Sequence, residues 1–167
     1  MKNKINYKRI ATIDIGSNAI RMLISNVYEI NGKKVSTKNN IVRIPLRLGK
    51  DSFEKSILSD SSKNKLIKSF KAFKLLMDIN EVDSFLAYAT SAIRNINDSE
   101  VLLKRIFDET GIKLEVISGE KEAQITSQQD ISDHIGKTKN YCFVDVGGGS
   151  TEAVSYTHLT LPTNRCV

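Results

Sequence analysis

Two short segments of the chain carry the residue types that hold phosphate. Asp14-Ile15-Gly16-Ser17-Asn18 closes one apolar run, and Asp145-Val146-Gly147-Gly148-Gly149-Ser150-Thr151 closes another. A glycine-rich turn between strands lets backbone N–H groups converge on an anion, because a missing side chain permits close approach and positive φ. Ser17, Asn18, Ser150 and Thr151 add hydroxyl or amide donors. Asp14 and Asp145 sit at strand ends, where a carboxylate binds Mg²⁺ directly or through water. One such turn is weak evidence, since tight hairpins also need glycine. Two copies, each beginning Asp-x-Gly after an apolar strand, point to a phosphate-binding pair. Arg94 follows a buried strand and so stands at a strand end, where open α/β sheets place ligand groups. Its guanidinium there could clamp a phosphate, or it could form an exposed salt bridge.

The elements that must position these residues are legible from periodicity and breakers. Residues 8–15 and 20–29 read as strands, and Asn31-Gly32 is a two-residue hairpin signal. A third extended segment, 33–48, ends near Pro45 and Gly49, giving an antiparallel meander. Ser59 or Asp60 caps a helix running to about Asn80, with Leu66, Phe70, Phe73 and Met77 at helical spacing. Lys63, Lys65, Lys68, Lys71 and Lys74 then form its solvated face. A buried strand follows at Ser84–Ala89, and Asp98 caps a helix that Gly111 stops. Residues 113–117 make another strand, and Ser118-Gly119 opens a helix to about His134. A polar connector covers 134–140, and strands at 141–146 and 151–155 flank the second glycine turn. The order β-β-β-α-β-α-β-α, then β-β, implies an α/β fold with a mixed sheet covered by helices.

A lone hairpin is marginal in water, so the closing β-β reads as the start of a second, truncated lobe. The expected division is a first lobe at 1–138, the second-lobe hairpin at 139–156, and a tail at 157–167. That tail, THLTLPTNRCV, resembles a translation scar and is left out of the fold expectation. The 167 residues are 40% hydrophobic, with no tryptophan and two prolines, which suits a soluble globular core. The net charge of +6 fits an anionic ligand, but no arginine-rich or aromatic–basic run argues for nucleic acid. No apolar run is long enough to span a membrane, and no secretory core follows the basic start. The two cysteines lack metal-like spacing, so the expected location is the cytoplasm. Cys142 reads as a small buried strand residue; His134 and His158 lie in no motif.

The two turns together resemble the phosphate loops of the actin, Hsp70 and sugar-kinase superfamily, whose lobes have a ribonuclease H-like fold. IDIGSNAIRMLI at 13–24, ATSAIRN at 89–95, ISGEKEA at 117–123 and DVGGGSTE at 145–152 narrow the resemblance. Together they look like the exopolyphosphatase and guanosine pentaphosphate phosphohydrolase family. It covers about residues 8–155, that family's first lobe and the opening hairpin of its second. The resemblance implies that Glu122, rather than Glu120, deprotonates the attacking water. A carboxylate at a helix start beside a phosphate cleft can do this. The structural alternative makes Gly119 the N-cap and Glu122 an N3 residue favouring the helix dipole. Glu152 resembles an additional acidic residue near the metal, or is a plain strand residue. Alanine at position 19, where many members carry serine, removes one donor beside the first loop. The implied function is Mg²⁺-dependent hydrolysis of terminal phosphoanhydride bonds in inorganic polyphosphate or guanosine pentaphosphate, the complete protein being a candidate homodimer. The rivals are an actin-like or sugar-kinase-like ATP-binding domain and a non-catalytic sensor of guanosine polyphosphates.

Overall fold

The computed structural model of the chain describes residues 6–127, 140–157 and 163–166. Strands β1 (Tyr7–Ile15), β2 (Ala19–Ile30) and β3 (Lys33–Pro45) form the antiparallel meander. Two helices, α1 (Leu48–Lys55) and α2 (Asp60–Ile79), lead to β4 (Ser84–Ala89), which pairs parallel with β1. Helical segments α3 (Ser91–Arg94) and α4 (Ser99–Thr110) then lead to β5 (Glu115–Val116), parallel to β4. The sheet order is β3-β2-β1-β4-β5. Parallel pairing demands long crossovers, which the helices supply. Helix α5 (Gly119–Ser127) follows, and a second sheet holds β6 (Asn140–Val146), β7 (Thr151–Thr157) and β8 (Thr163–Cys166) in that order.

Alternation divides the first sheet into two faces. Ala11, Ile13 and Ile15 of β1, Ile20, Met22 and Ile24 of β2, and Ala87 and Ala89 of β4 are buried. They share a core with Leu66, Phe70, Phe73 and Met77 of α2 and Leu102 and Ile106 of α4. The intervening residues, among them Asp14, Arg21, Arg43 and Tyr88, fall on the opposite face by the two-residue period. Ser59 caps α2 through the Ser62 N–H, and Gly111 ends α4 at φ 70°. Asp98 stands at the N-cap of α4 but makes no cap bond; its carboxylate pairs with Lys63 of α2 at 2.5 Å.

Four expectations change. Helix α1 begins where the expected extended segment ends and fills a stretch to which no element is assigned from sequence. Its eight residues are too few for a periodic signal, and Leu48 is its fully buried anchor. Strand β5 pairs over two residues instead of five, although Leu114 and Ile117 beside it are buried. Cys142 is exposed, not buried, on the same side of β6 as the exposed Val144 and Val146. Finally, Thr163–Cys166, within the excluded tail, pairs antiparallel with β7. The helix end expected near His134, and the connector after it, lie outside the described residues.

Candidate active site

The two glycine turns are built alike. Between β1 and β2, Ile15 faces Ile20 and the Gly16 N–H donates to the Ala19 carbonyl at 3.1 Å. Between β6 and β7, Val146 faces Thr151 and the Gly147 N–H donates to the Ser150 carbonyl at 2.9 Å. Each is therefore a four-residue hairpin loop with an aspartate two positions before its first glycine. The first loop is tied from outside. The Ser17 carbonyl accepts from the Gly49 N–H at 2.9 Å, and the Asn18 carbonyl from the Leu46 and Arg47 N–H groups at 3.1 and 3.0 Å. The loops also touch each other: a Cβ on Gly148 would lie 2.6 Å from Asn18 Nδ2 and 3.3 Å from Ser17 Cβ.

A cavity of about 500 Å³ opens between the two sheets, lined by Gly16, Ser17 and Asn18 from one loop and Gly147, Gly148 and Ser150 from the other. Asp14, Asp145 and Glu122 line it as well. Gly149 and Thr151 do not: Gly149 falls at the loop tip, and Thr151 is taken up as the first residue of β7. The side chain of Glu152 lies outside the described residues; its backbone pairs with Asp145. The Ser17 hydroxyl is buried 3.4 Å from that of Ser91, which leaves donation to a ligand mainly to the loop amides.

Glu122 reaches the cavity from the first turns of α5. Ser118 Oγ accepts from the Lys121 N–H at 3.2 Å, and the Ser118 carbonyl from the Glu122 N–H at 2.9 Å. Ser118 is thus the N-cap, one residue earlier than the Gly119 alternative, and Glu122 is the fourth helical residue. Its carboxylate accordingly has no capping role at the helix start. Arg94 does not line the cavity. The short turn of α3 carries it off the strand end, and its Nη1 donates to the Ile117 carbonyl at 2.6 Å. The same nitrogen lies 3.7 Å from Glu122 Oε2, an oxygen closed off from solvent. Arg94 therefore stands beside Glu122, with its Nη1 engaged by the Ile117 carbonyl and the Glu122 carboxylate rather than facing the cavity lining.

The sequence model of the Ppx/GppA phosphatase family matches residues 27–161. The chain belongs to the Ppx/GppA phosphatase family. It is 35% identical over 156 residues to a bifunctional 3-dehydroquinate synthase/phosphatase of Fusobacterium nucleatum, covering 90% of this chain and 23% of that protein. Exopolyphosphatase 1 of Mycobacterium tuberculosis is 27% identical over 147 residues, covering 88% of this chain and 42% of that protein. The Aquifex aeolicus Ppx/GppA structure superposes with a TM-score of 0.80 at 29% identity, covering 97% of this chain and 51% of that one. An exopolyphosphatase structure from Cytophaga hutchinsonii gives 0.80 at 26% identity, with 95% and 50% covered. The chain thus spans about half the length of these solved relatives, and its mixed sheet with helices is their first-lobe architecture.

In this Ppx/GppA lobe the carboxylates of the cavity set its electrostatics. Burial raises the Asp14 pKa above its ordinary 3.8, Arg21 opposes that shift, and Asp145 adds to it. Among the described residues no cluster of three or more His, Cys, Asp or Glu could cage a metal. Two mutually repelling carboxylates lining one cavity nevertheless fit Mg²⁺, which takes one or two carboxylates and fills the rest of its sphere with water or ligand oxygens. Because the folded state holds the Asp14 proton more tightly than the unfolded one, ionisation of Asp14 costs stability. That cost is absent below pH 3.8 and grows as pH rises through the raised value. Asp14→Asn is accordingly expected to leave the metal-free melting temperature at pH 7 unchanged or higher. At Mg²⁺ about tenfold above its dissociation constant the unmutated chain gains roughly 1.4 kcal/mol, and the variant gains little. Thermal melts with and without Mg²⁺ check this; an equal Mg²⁺ shift in both proteins counts against Asp14 as a ligand.

Sequence reasoning missed Arg21, Arg43, Tyr88, Thr90, Ser91 and Thr126, all of which line the cavity. Arg21 was within reach: a four-residue loop places it opposite Asp14, and their side chains approach to 3.8 Å. Thr90 was not, since its part is to close the β1–β4 junction by donating its Oγ1 hydrogen to the Ile15 carbonyl at 3.1 Å.

Proposed function

We propose that this chain supplies the phosphate-binding first lobe, and the opening strands of the second, of a hydrolase of terminal phosphoanhydride bonds. Its substrate is inorganic polyphosphate or guanosine pentaphosphate. The observation that carries this reading is the cavity in which both glycine loops, two aspartates and Glu122 converge. The loop amides hold the terminal phosphoryl group and stabilise charge on its oxygens. Glu122 orients a water for in-line attack and takes its proton. The water oxygen bonds to the terminal phosphorus as the bond to the bridging oxygen breaks, and the shortened phosphate chain leaves with that oxygen. Mg²⁺, held by Asp14 and Asp145, would offset the negative charge of the phosphates. Arg94 holds the Glu122 carboxylate in register through its paired contacts with Ile117 and Glu122.

The test is a phosphate-release assay on a protein that joins this lobe to a complete second one, with polyphosphate, guanosine pentaphosphate and ATP in parallel. Release from either of the first two at family-level rates supports the reading. A preference for ATP would favour the kinase-like alternative, and tight binding of guanosine polyphosphates without turnover would favour the sensor. The 167-residue chain by itself is expected to bind phosphate weakly and release almost none. Val144 and Val146 of β6 are 53% and 72% exposed, so the second loop stands on a sheet with an uncovered face.

A further inference from the structure

Pairing places one row of side chains across the first sheet, on the face opposite the helices of the core. From the edge inward it runs Arg43 on β3, Arg21 on β2, Asp14 on β1 and Tyr88 on β4. All four line the cavity. Arg43 and Arg21 are therefore directly opposed cations, whose side chains stand about 5 Å apart at their bases. Like charges so placed destabilise a strand pair. Asp14, 3.8 Å from Arg21, offsets part of this, whereas among the described residues no carboxylate forms an ion pair with Arg43.

The placement of Arg43 depends on an irregularity in β3. From the Asn31-Gly32 turn up to Ser25 and Lys38, paired residue numbers in β2 and β3 sum to 63; from Ile24 and Asn40 onward they sum to 64. Asn39 is the extra residue of a bulge. Were it instead paired in an unbroken register, Arg43 would oppose Ile20, a core residue, and Val42 would oppose Arg21. Bulges re-aim side chains in this way, and they concentrate beside active sites. Here the bulge absorbs the extra residue, so Val42 and Ile44 stay packed on the core and Arg43 faces the cavity.

We infer that Arg43, with Arg21, forms a secondary anion subsite that takes phosphates beyond the one being cleaved. The inference rests on the phosphate-binding reading of the loops. It gives the bound chain a direction: the reacting end lies at the two loops and Glu122, and the rest crosses β2 toward the β3 edge. Guanidinium groups suit this task because their donors are fixed in a fork that matches phosphate oxygens. The ligand class is a chain of at least three linked phosphates, whether inorganic or carried on a nucleoside.

Titrations of the 167-residue chain with orthophosphate and with tripolyphosphate, followed by amide chemical shifts, test this. Arg43→Ala is expected to weaken tripolyphosphate about tenfold, the loss of one charge-assisted contact, and to leave orthophosphate within twofold. Lys38→Ala removes an exposed charge from the same strand outside the cavity and is expected to change neither. If Arg43→Ala leaves tripolyphosphate unchanged, or weakens both ligands equally, the subsite is wrong while the loop reading stands. A tripolyphosphate loss from Lys38→Ala as large as that from Arg43→Ala also overturns the subsite, in favour of diffuse attraction. If the unmutated chain binds neither ligand, the loop reading falls and takes the subsite with it. Guanosine triphosphate as a third ligand separates the sources: the same loss with Arg43→Ala extends the subsite to nucleotides, and no loss restricts it to inorganic chains.

Discussion

Glu122→Gln, placed in a protein that carries this lobe with a complete second one, is expected to lower turnover by about 10²–10⁴-fold, the reach of general-base catalysis. That corresponds to roughly 2.7–5.5 kcal/mol of barrier. Substrate affinity is expected to stay within a few-fold. The amide has the shape of the carboxylate, and its oxygen can still face Arg94, 3.7 Å away in the unmutated chain. The Glu122 N–H keeps its bond to the Ser118 carbonyl, so the helix start is undisturbed. What the amide cannot do is accept a proton from water. Glu120→Gln serves as the control, since Glu120 is exposed and outside the cavity, and it is expected to be nearly silent. Steady-state kinetics decide the matter: a variant at position 122 that keeps turnover within a few-fold would reduce Glu122 to a lining residue.

Gly148→Ala should cost about 10²-fold in the same turnover, the effect of displacing a reacting group by around 1 Å. The new Cβ would meet Asn18 Nδ2 at 2.6 Å and Asn18 Cγ at 3.2 Å. The Asn18 backbone is pinned by the Leu46 and Arg47 amides, so either its side-chain amide swings out of the cavity or the loops separate, and both displace a donor from the site. Gly148 is exposed and its φ is not positive, so the melting temperature should hardly move. The double variant with Asn18→Ala tests the mechanism. If the loss comes from the clash with Asn18, Gly148→Ala costs much less once Asn18 is already alanine, a coupling that a double-mutant cycle reads directly. Purely additive losses would place the effect elsewhere.

Most of the sheet was legible because its signals are local. Alternating apolar residues mark β1 and β2, and a long 3.6-residue period with Ser59 ahead of it marks α2. A short apolar run marks β4, but only its C-terminal half is buried: Phe85 and Leu86 are exposed. The two Asp-x-Gly turns announced the loops, since a hairpin loop and its flanking carboxylate lie within a few residues of one another. Longer-range consequences were hidden. Helix α1 is fixed by contacts outside itself, such as the Asp51 carboxylate accepting from Ser62 Oγ at 2.9 Å. The contact of Arg94 with Glu122 joins residues 28 positions apart in the chain, through a turn that no periodicity reports. Arg43 could not be assigned to the cavity by counting from the hairpin turn, since the bulge at Asn39 reverses the answer.

That bulge also limits how the β2–β3 arm can change in length. A strand's two faces repeat every second residue, so adding or removing a single residue between Asn39 and Pro45 exchanges the faces of everything beyond it. Val42 and Ile44 would turn outward and Arg43 would turn to the core face, opposite Ile20 after an addition or Met22 after a removal, losing core contacts and the cavity cation together. Removing two residues keeps the parity and only shortens the arm. Changes at the Asn31-Gly32 tip are free of this constraint in another way, since Ile30, Val35 and their neighbours are exposed and no core depends on their phase. The hairpin is thus tolerant at its tip and effectively quantised in steps of two near its base, where insertions and deletions in related sequences should come in pairs.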